Sequence, residues 1–301
     1  MLAAMIGNSA RIVPVPEGPF KFKLLRELSP ATRPTRDTVV RAVAALKNDY
    51  GVHNWKISPD PEVIANQVDF EAAVFAQVYR LLAVEYVKTH WPDKLADLKF
   101  IVDHDPSNSK HASSLRREFP ESHFLHIIRD GRAIAASVFP LDWGPNDIFG
   151  AVIFWLTNLG FGFAAESLYA SKAFRIKYED ILQDPPRSVA ALCEHLQLDF
   201  EHGMLLPEGL IVPDYTRRQH VLIGKSLNRS QIDKWKKSLS KEEVSIFEKE
   251  TYEMLAMLGY TLVGDRISGG IGIKIKHRVN GAIRNYLNLI RKKNRERAAK
   301  A

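Results

Sequence analysis

Arg129 stands in the stretch of sequence that points most directly to chemistry. It follows the apolar run Phe-Leu-His-Ile-Ile at 124–128 and precedes Asp130-Gly131. Ser137 then sits inside a small-residue stretch, Arg-Ala-Ile-Ala-Ala-Ser-Val. The apolar run reads as a buried strand and 131–138 as a helix. In open α/β sheets, ligands gather at the carboxyl ends of strands. A helix that starts there offers unpaired N–H groups and a positive dipole end to an anion. A guanidinium at that edge adds a planar, two-pronged donor suited to phosphate. Ser137, roughly two turns into the helix, adds a hydroxyl. The residues alone leave the opposite outcome open, with Arg129 paired to Asp130 or Glu179 and Ser137 filling space.

The elements that must position these groups follow from periodicity. Apolar runs at 100–102, 124–128 and 174–177 each end at a polar or charged residue, as buried parallel strands do. Helical patterns at 37–49, 61–88, 109–118, 131–138, 147–169, 185–196 and 241–258 separate them. The expectation is an α/β fold with a parallel sheet flanked by helices. Ser240 and Glu243 make a capping box and Gly259 closes that helix; Asp184-Pro185-Pro186 opens another. Residues 148–165 carry no charge, the minimum length for a membrane span. Their three glycines, Thr157, Asn158 and acidic flanks Asp147 and Glu166 favour a buried core helix. Glu179 and Asp180 follow a strand. They read as structural ion pairs and helix caps rather than metal ligands.

With 46% hydrophobic and 26% charged residues, the 301-residue chain is globular rather than disordered. The single cysteine, Cys193, excludes an intrachain disulfide and a zinc site built on several thiolates. The net charge of +7 is a property of one end. Residues 266–301 hold 11 Lys or Arg and one acid, Glu296, which leaves 31 basic and 34 acidic residues elsewhere. That end opens with Ser-Gly-Gly-Ile-Gly and continues as a basic helix with Ile283, Tyr286, Leu287 and Ile290 at helical spacing. It reads either as a solvated terminal helix or as an amphipathic element touching anionic lipid or a partner. No base-reading motif accompanies the charge, so no nucleic acid is expected. The apolar stretch at 1–6 is too short for a signal sequence, and a cytoplasmic location is expected.

The order of segments carries more than any one of them. Asp103-His104-Asp105-Pro106-Ser107-Asn108 comes first, then Arg129…Ser137, then Lys177-Tyr178-Glu179-Asp180-Ile181-Leu182 with Asp184-Pro185. Ile232-Asp233-Lys234-Trp235 and a helix ending at Leu258-Gly259-Tyr260 follow. In this order the chain resembles sulfotransferases that use 3′-phosphoadenosine 5′-phosphosulfate (PAPS), in the largely bacterial branch related to carbohydrate and protein-tyrosine sulfotransferases. The resemblance runs over about 1–260. It implies a P-loop-type α/β fold and in-line transfer of a sulfuryl group to a hydroxyl or amine, without a metal. It implies that Arg129 and Ser137 grip the donor's 3′-phosphate and that Tyr178 packs near the adenine. Glu17, in Pro16-Glu17-Gly18-Pro19, matches the general base. One of Arg217, Arg218 and Lys225 would also reach the donor. The acceptor is left open among sugar, tyrosine and small molecule, and its pocket is expected from 37–88 and the loop 143–146.

Two departures from the family pattern stand out. A strand and a P-R-S-G-T-T-like loop normally wrap the 5′-phosphosulfate, and none is present. Residues 1–5 look like the latter part of the helix after that loop, and 11–17 like the second strand and its exit. The expected architecture is therefore an N-terminally truncated sulfotransferase-like domain over 1–265 with a basic helical tail over 266–301. The second departure is His104, which stands at a lysine position. It would donate when protonated or act as a base, or else be satisfied by Asp103 or Asp105. A P-loop kinase needs a Walker lysine that the chain lacks. The remaining alternative is a degenerate, non-catalytic nucleotide-binding or membrane-surface protein.

Overall fold

The computed structural model describes residues 1–141, 143–212, 227–264 and 271–298. Four strands are described: β1 (Ile12–Val15), β2 (Phe100–Asp103), β3 (Phe124–Ile128) and β4 (Ala173–Lys177). The helices are α1 (Leu2–Ile6), α2 (Phe20–Glu27), α3 (Arg36–Ala44), α4 (Tyr50–Trp55), α5 (Pro61–Ala65), α6 (Val74–His90) and α7 (Ala112–Glu118). After β3 come α8 (Gly131–Val138) and α9 (Ile148–Tyr169), and after β4 come α10 (Tyr178–Gln183), α11 (Pro185–Leu196), α12 (Trp235–Ser238), α13 (Lys241–Met257) and α14 (Ile271–Ala298). The strands form two pairs. β1 and β2 run parallel, with Ile12 opposite Phe100 and Val15 opposite Asp103; β3 pairs with β4.

The chain divides into two compact units. One comprises Met1–Phe124, Leu168–Phe174 and the described part of Asp184–Leu227. The other comprises Leu125–Ser167, Arg175–Gln183 and the described part of Asn228–Ala301. The core of the first gathers Val13 and Val15 of β1 with Phe20, Leu24, Trp55, Phe75, Leu82 and Tyr86. The core of the second gathers Ile128 with Ala135, Trp155, Trp235 and Phe247. In α9, Ile148, Ala151, Val152, Trp155 and Leu159 enter that core at helical spacing. The helix is long and apolar enough to cross a membrane by composition, but this face does the work of a core helix. Burial of such a face, at roughly 25 cal/mol per Å², supplies the drive for its packing.

One sequence expectation changes, and one helix is added. The helix expected over 61–88 is broken between α5 and α6. There the Asp69 N–H donates to Gln77 Oε1 at 2.8 Å, the Gln77 amide donates back to the Asp69 carbonyl at 2.8 Å, and Glu71 N–H caps on Asp69 Oδ1 at 2.9 Å. These local bonds give the backbone an alternative to helix. Residues 178–183, assigned to no element in the sequence, form α10 directly after β4 ends at Lys177.

Candidate active site

In the first unit the site grows from the exits of β1 and β2. Pro16 is anchored by the Trp55 indole, which donates to its carbonyl at 2.9 Å. Gly18 is required by close approach: a Cβ there would meet the Phe20 ring at 2.7 Å and Trp55 at 3.2 Å. This turn places Glu17 between β1 and α2, half-buried, and starts α2 so that Lys21 points inward. Lys21 is 1% exposed. Its ammonium contacts both Asp103 oxygens, at 2.6 and 2.5 Å, and lies 3.8 Å from Asp105. Tyr79 of α6 donates to Asp103 at 2.6 Å, and the Asn108 amide donates at 3.1 Å.

The charges of this cluster are unequal in consequence. Burial alone would raise the Asp103 carboxyl, but the Lys21 charge and the hydrogen bonds from Lys21 and Tyr79 overturn that and hold it below the ordinary value. Tyr79 is pushed far up by burial and by Asp103, so it remains a donor. Glu17 is raised, first by burial and then by Asp105, with Lys21 opposing. Glu17 makes no hydrogen bond among the described residues. His104 is half-buried at the end of β2. Its neighbours Asp103 and Asp105 face Lys21. Lys21 brings a buried cation to this strand end from α2.

In the second unit the Arg-Asp-Gly-Arg segment separates into four jobs. The Asp130 carboxylate caps α8 by accepting from the Arg132 N–H at 2.9 Å. It also receives the Arg132 guanidinium, at 2.7 Å for the closest pair. Arg132, 2% exposed, bonds Glu248 as well and lies 4.2 Å over the Trp235 ring. Gly131 is fixed by packing, since a Cβ would meet Phe247 at 2.5 Å and Trp155 at 2.6 Å. Glu179, buried, accepts from the Asp130 N–H at 3.0 Å and the Tyr260 hydroxyl at 3.1 Å. Burial raises its carboxyl.

Arg129 is left over from this network. It makes no ion pair with Asp130, Glu179 or any other described residue. Its guanidinium stands 4.4 Å from the centre of the Tyr178 ring, and its Nε is buried with no hydrogen-bond partner. Its carbonyl accepts from the Trp155 indole at 3.0 Å, which fixes the strand end. Tyr178 is raised by burial, with Arg129 opposing.

The structure therefore brings Arg129 and Tyr178 into contact and sets Ser137 on the exposed face of α8 in the same unit. Glu17 and His104 belong to the first unit. One reading is corrected. The Asp130 carboxylate takes one N–H of the first turn of α8, that of Arg132, and the Arg129 guanidinium stands beside that turn as a further donor. Glu179 is held by hydrogen bonds from an N–H and a hydroxyl rather than by an ion pair. Arg217, Arg218 and Lys225 lie outside the described residues. Sequence reasoning missed Lys21 and Arg132. A charged residue in the otherwise apolar or small stretches Phe-Lys-Phe and Gly-Arg-Ala-Ile-Ala was the available signal, because such a residue must find a buried partner.

A family model described as the sulfotransferase family matches residues 1–202. The chain belongs to the sulfotransferase family. It is 24% identical over 170 residues to protein-tyrosine sulfotransferase A of Caenorhabditis elegans, a match over 53% of this chain and 44% of that relative. It thus spans under half the length of that protein. Among solved structures, a sulfotransferase domain from the curacin biosynthetic pathway aligns with a TM-score of 0.53 at 16% identity, covering 87% of this chain and 93% of that domain. A sulfotransferase domain from the Synechococcus PCC 7002 olefin synthase aligns with a TM-score of 0.53 at 17% identity, covering 87% and 90%. These two likenesses show the fold, a mixed α/β architecture with parallel pairing.

Proposed function

We propose that this sulfotransferase-family chain moves a sulfuryl group from PAPS to a hydroxyl or amine of a small-molecule, carbohydrate or tyrosine acceptor. Family membership supports the reaction class. The single observation that supports the donor is Arg129: a guanidinium with a buried, unpartnered Nε and no compensating carboxylate among the described residues favours an anion over either water or a protein group. The 3′-phosphate of the donor would take that place, with Ser137 adding a hydroxyl and Tyr178 lying near the adenine. The acceptor oxygen or nitrogen attacks sulfur as its proton passes to Glu17. The bond from sulfur to the 5′-phosphate oxygen breaks, and its electron pair leaves on 3′-phosphoadenosine 5′-phosphate. A carboxylate raised by burial is a stronger base than an exposed one, which suits Glu17 to that proton. Protonated His104 would donate to the transferring group.

The test is calorimetric binding to Arg129→Ala. Affinity for 3′-phosphoadenosine 5′-phosphate should fall by roughly 10- to 100-fold, the worth of a charge-assisted hydrogen bond of about 1.5–3 kcal/mol. Affinity for adenosine 5′-monophosphate, which lacks the 3′-phosphate, should hold. Equal losses for both ligands would remove the assignment.

A further inference from the structure

Helix α14 packs on its unit with the polar side and shows solvent the apolar one. His277, Gly281, Arg284 and Asn288 form the inward face. The Asn288 amide donates to the Leu141 carbonyl at 2.9 Å and to Asn146 Oδ1 at 3.1 Å. Arg284 donates to the Asn146 carbonyl at 3.0 Å and to Glu243 at 2.9 Å, and lies 4.1 Å over the Phe139 ring. Gly281 sits against Asp147, where a Cβ would come within 3.0 Å of the Asp147 Cβ. Lys276 and His277 both meet Glu242.

The outward face is different. Ile275, Val279, Ile283, Tyr286 and Ile290 recur at steps of four, four, three and four residues, and all are exposed, Tyr286 the most at 66%. At about 100° per residue these five fall on one stripe, roughly opposite His277, Gly281, Arg284 and Asn288. Leu287 and Leu289 widen it. A surface helix normally turns such a stripe inward. Here specific polar bonds hold it outward.

We propose that this stripe lies on the surface of an anionic lipid bilayer, with α14 parallel to the membrane plane. Charge selects this occupant over a second copy of the chain. Residues 271–298 carry nine Lys or Arg and one acid, Glu296, so two copies of the helix repel one another. An apolar stripe on a helix rich in cations is what an interfacial helix needs: the stripe enters the acyl boundary, and cations not paired within the protein, the exposed Arg278 among them, meet lipid phosphates and carboxylates. The inference does not depend on the sulfuryl-transfer reading.

Co-sedimentation of the full chain with vesicles tests it. The protein should pellet with vesicles of phosphatidylcholine and phosphatidylserine in equal amounts and stay in solution with phosphatidylcholine alone. The double variant Ile283→Ser/Tyr286→Ser keeps every charge. It should bind the anionic vesicles at least about tenfold more weakly. Because both side chains are exposed, its thermal unfolding midpoint and its affinity for 3′-phosphoadenosine 5′-phosphate should match those of the parent. Failure of the parent to pellet with anionic vesicles overturns the proposal, as does equal binding by the double variant. A concentration-dependent dimer of the parent that the double variant abolishes would also overturn it and assign the stripe to self-association.

Discussion

The exit of the β1–β2 pair and the exit of the β3–β4 pair are built on one plan with opposite sign. At the first, a buried lysine closes a network with Asp103, Asp105, Tyr79 and Asn108, and one carboxylate, Glu17, stays outside it. At the second, a buried arginine closes a network with Asp130 and Glu248, while Glu179 and Tyr260 brace the same turn. One cation, Arg129, stays outside. Buried charges are expensive unless paired, so in each place the paired set is structure. In the proposed function the chemistry falls to the group left over from each network: a lifted carboxyl in the first, a guanidinium without a carboxylate partner among the described residues in the second.

Substitutions that confuse the two classes put this contrast under strain. The largest effect belongs to Arg132→Met. Removing one member of a buried ion network leaves Asp130 and Glu248 uncompensated, and urea unfolding should show a loss of about 4 kcal/mol. Arg129→Ala should lose almost none of the stability that Arg132→Met loses, although the two arginines are three residues apart. Similar losses for both would dissolve the distinction.

Next comes Glu17→Gln. Loss of a general base should lower the transfer rate by about 100-fold, close to 3 kcal/mol, while donor affinity is retained. Stability should move the other way. Burial raises the folded-state pKa of Glu17, so the group favours folding at low pH and loses that contribution as pH rises through the folded value. Removing its charge should therefore leave the unfolding midpoint at neutral pH unchanged or higher. In the parent, the acid limb of the rate profile should lie above 4.5, the ordinary glutamate value, and the variant should lack that limb. A flat parent profile across that range counts against Glu17.

The smallest effect is Tyr79→Phe. Asp103 loses one hydrogen bond but keeps Lys21, so a cost of about 1.5 kcal/mol is expected in chemical unfolding. In the parent, Asp103 adds stability that is lost as pH falls through its depressed folded pKa, below the ordinary 3.8. In Tyr79→Phe that loss should be smaller and complete at a higher pH, since a hydrogen bond favouring the carboxylate is gone.

Much of the framework was readable before any coordinates. The runs at 100–102, 124–128 and 174–177 became β2, β3 and β4, and the helices over 131–138 and 185–196 have those bounds. The capping box of Ser240 and Glu243 formed as expected. These features are local: hydrophobic period, a cap three residues from its partner, a proline in a first turn. Arg129 was also legible, because its place after an apolar run and before Asp-Gly fixes it at a strand end. The break between α5 and α6 was not, because it depends on a side-chain bond between Asp69 and Gln77 that competes with continuous helix.

Sequence by itself decided which residue types stand at the strand exits and that the last helix is both basic and striped. It could not decide which of two arginines, Arg129 or Arg132, would be spent on structure. That choice depends on Glu248, 116 positions away from Arg132, and on a glycine that lets Phe247 and Trp155 close over the turn. Nor could it decide which side of α14 faces solvent, since Asn288 and Arg284 find their partners only once Asn146 and Glu243 are in place. Pairing of charges and the direction of a helix face are set by contacts between distant segments, and these exist only in the folded chain.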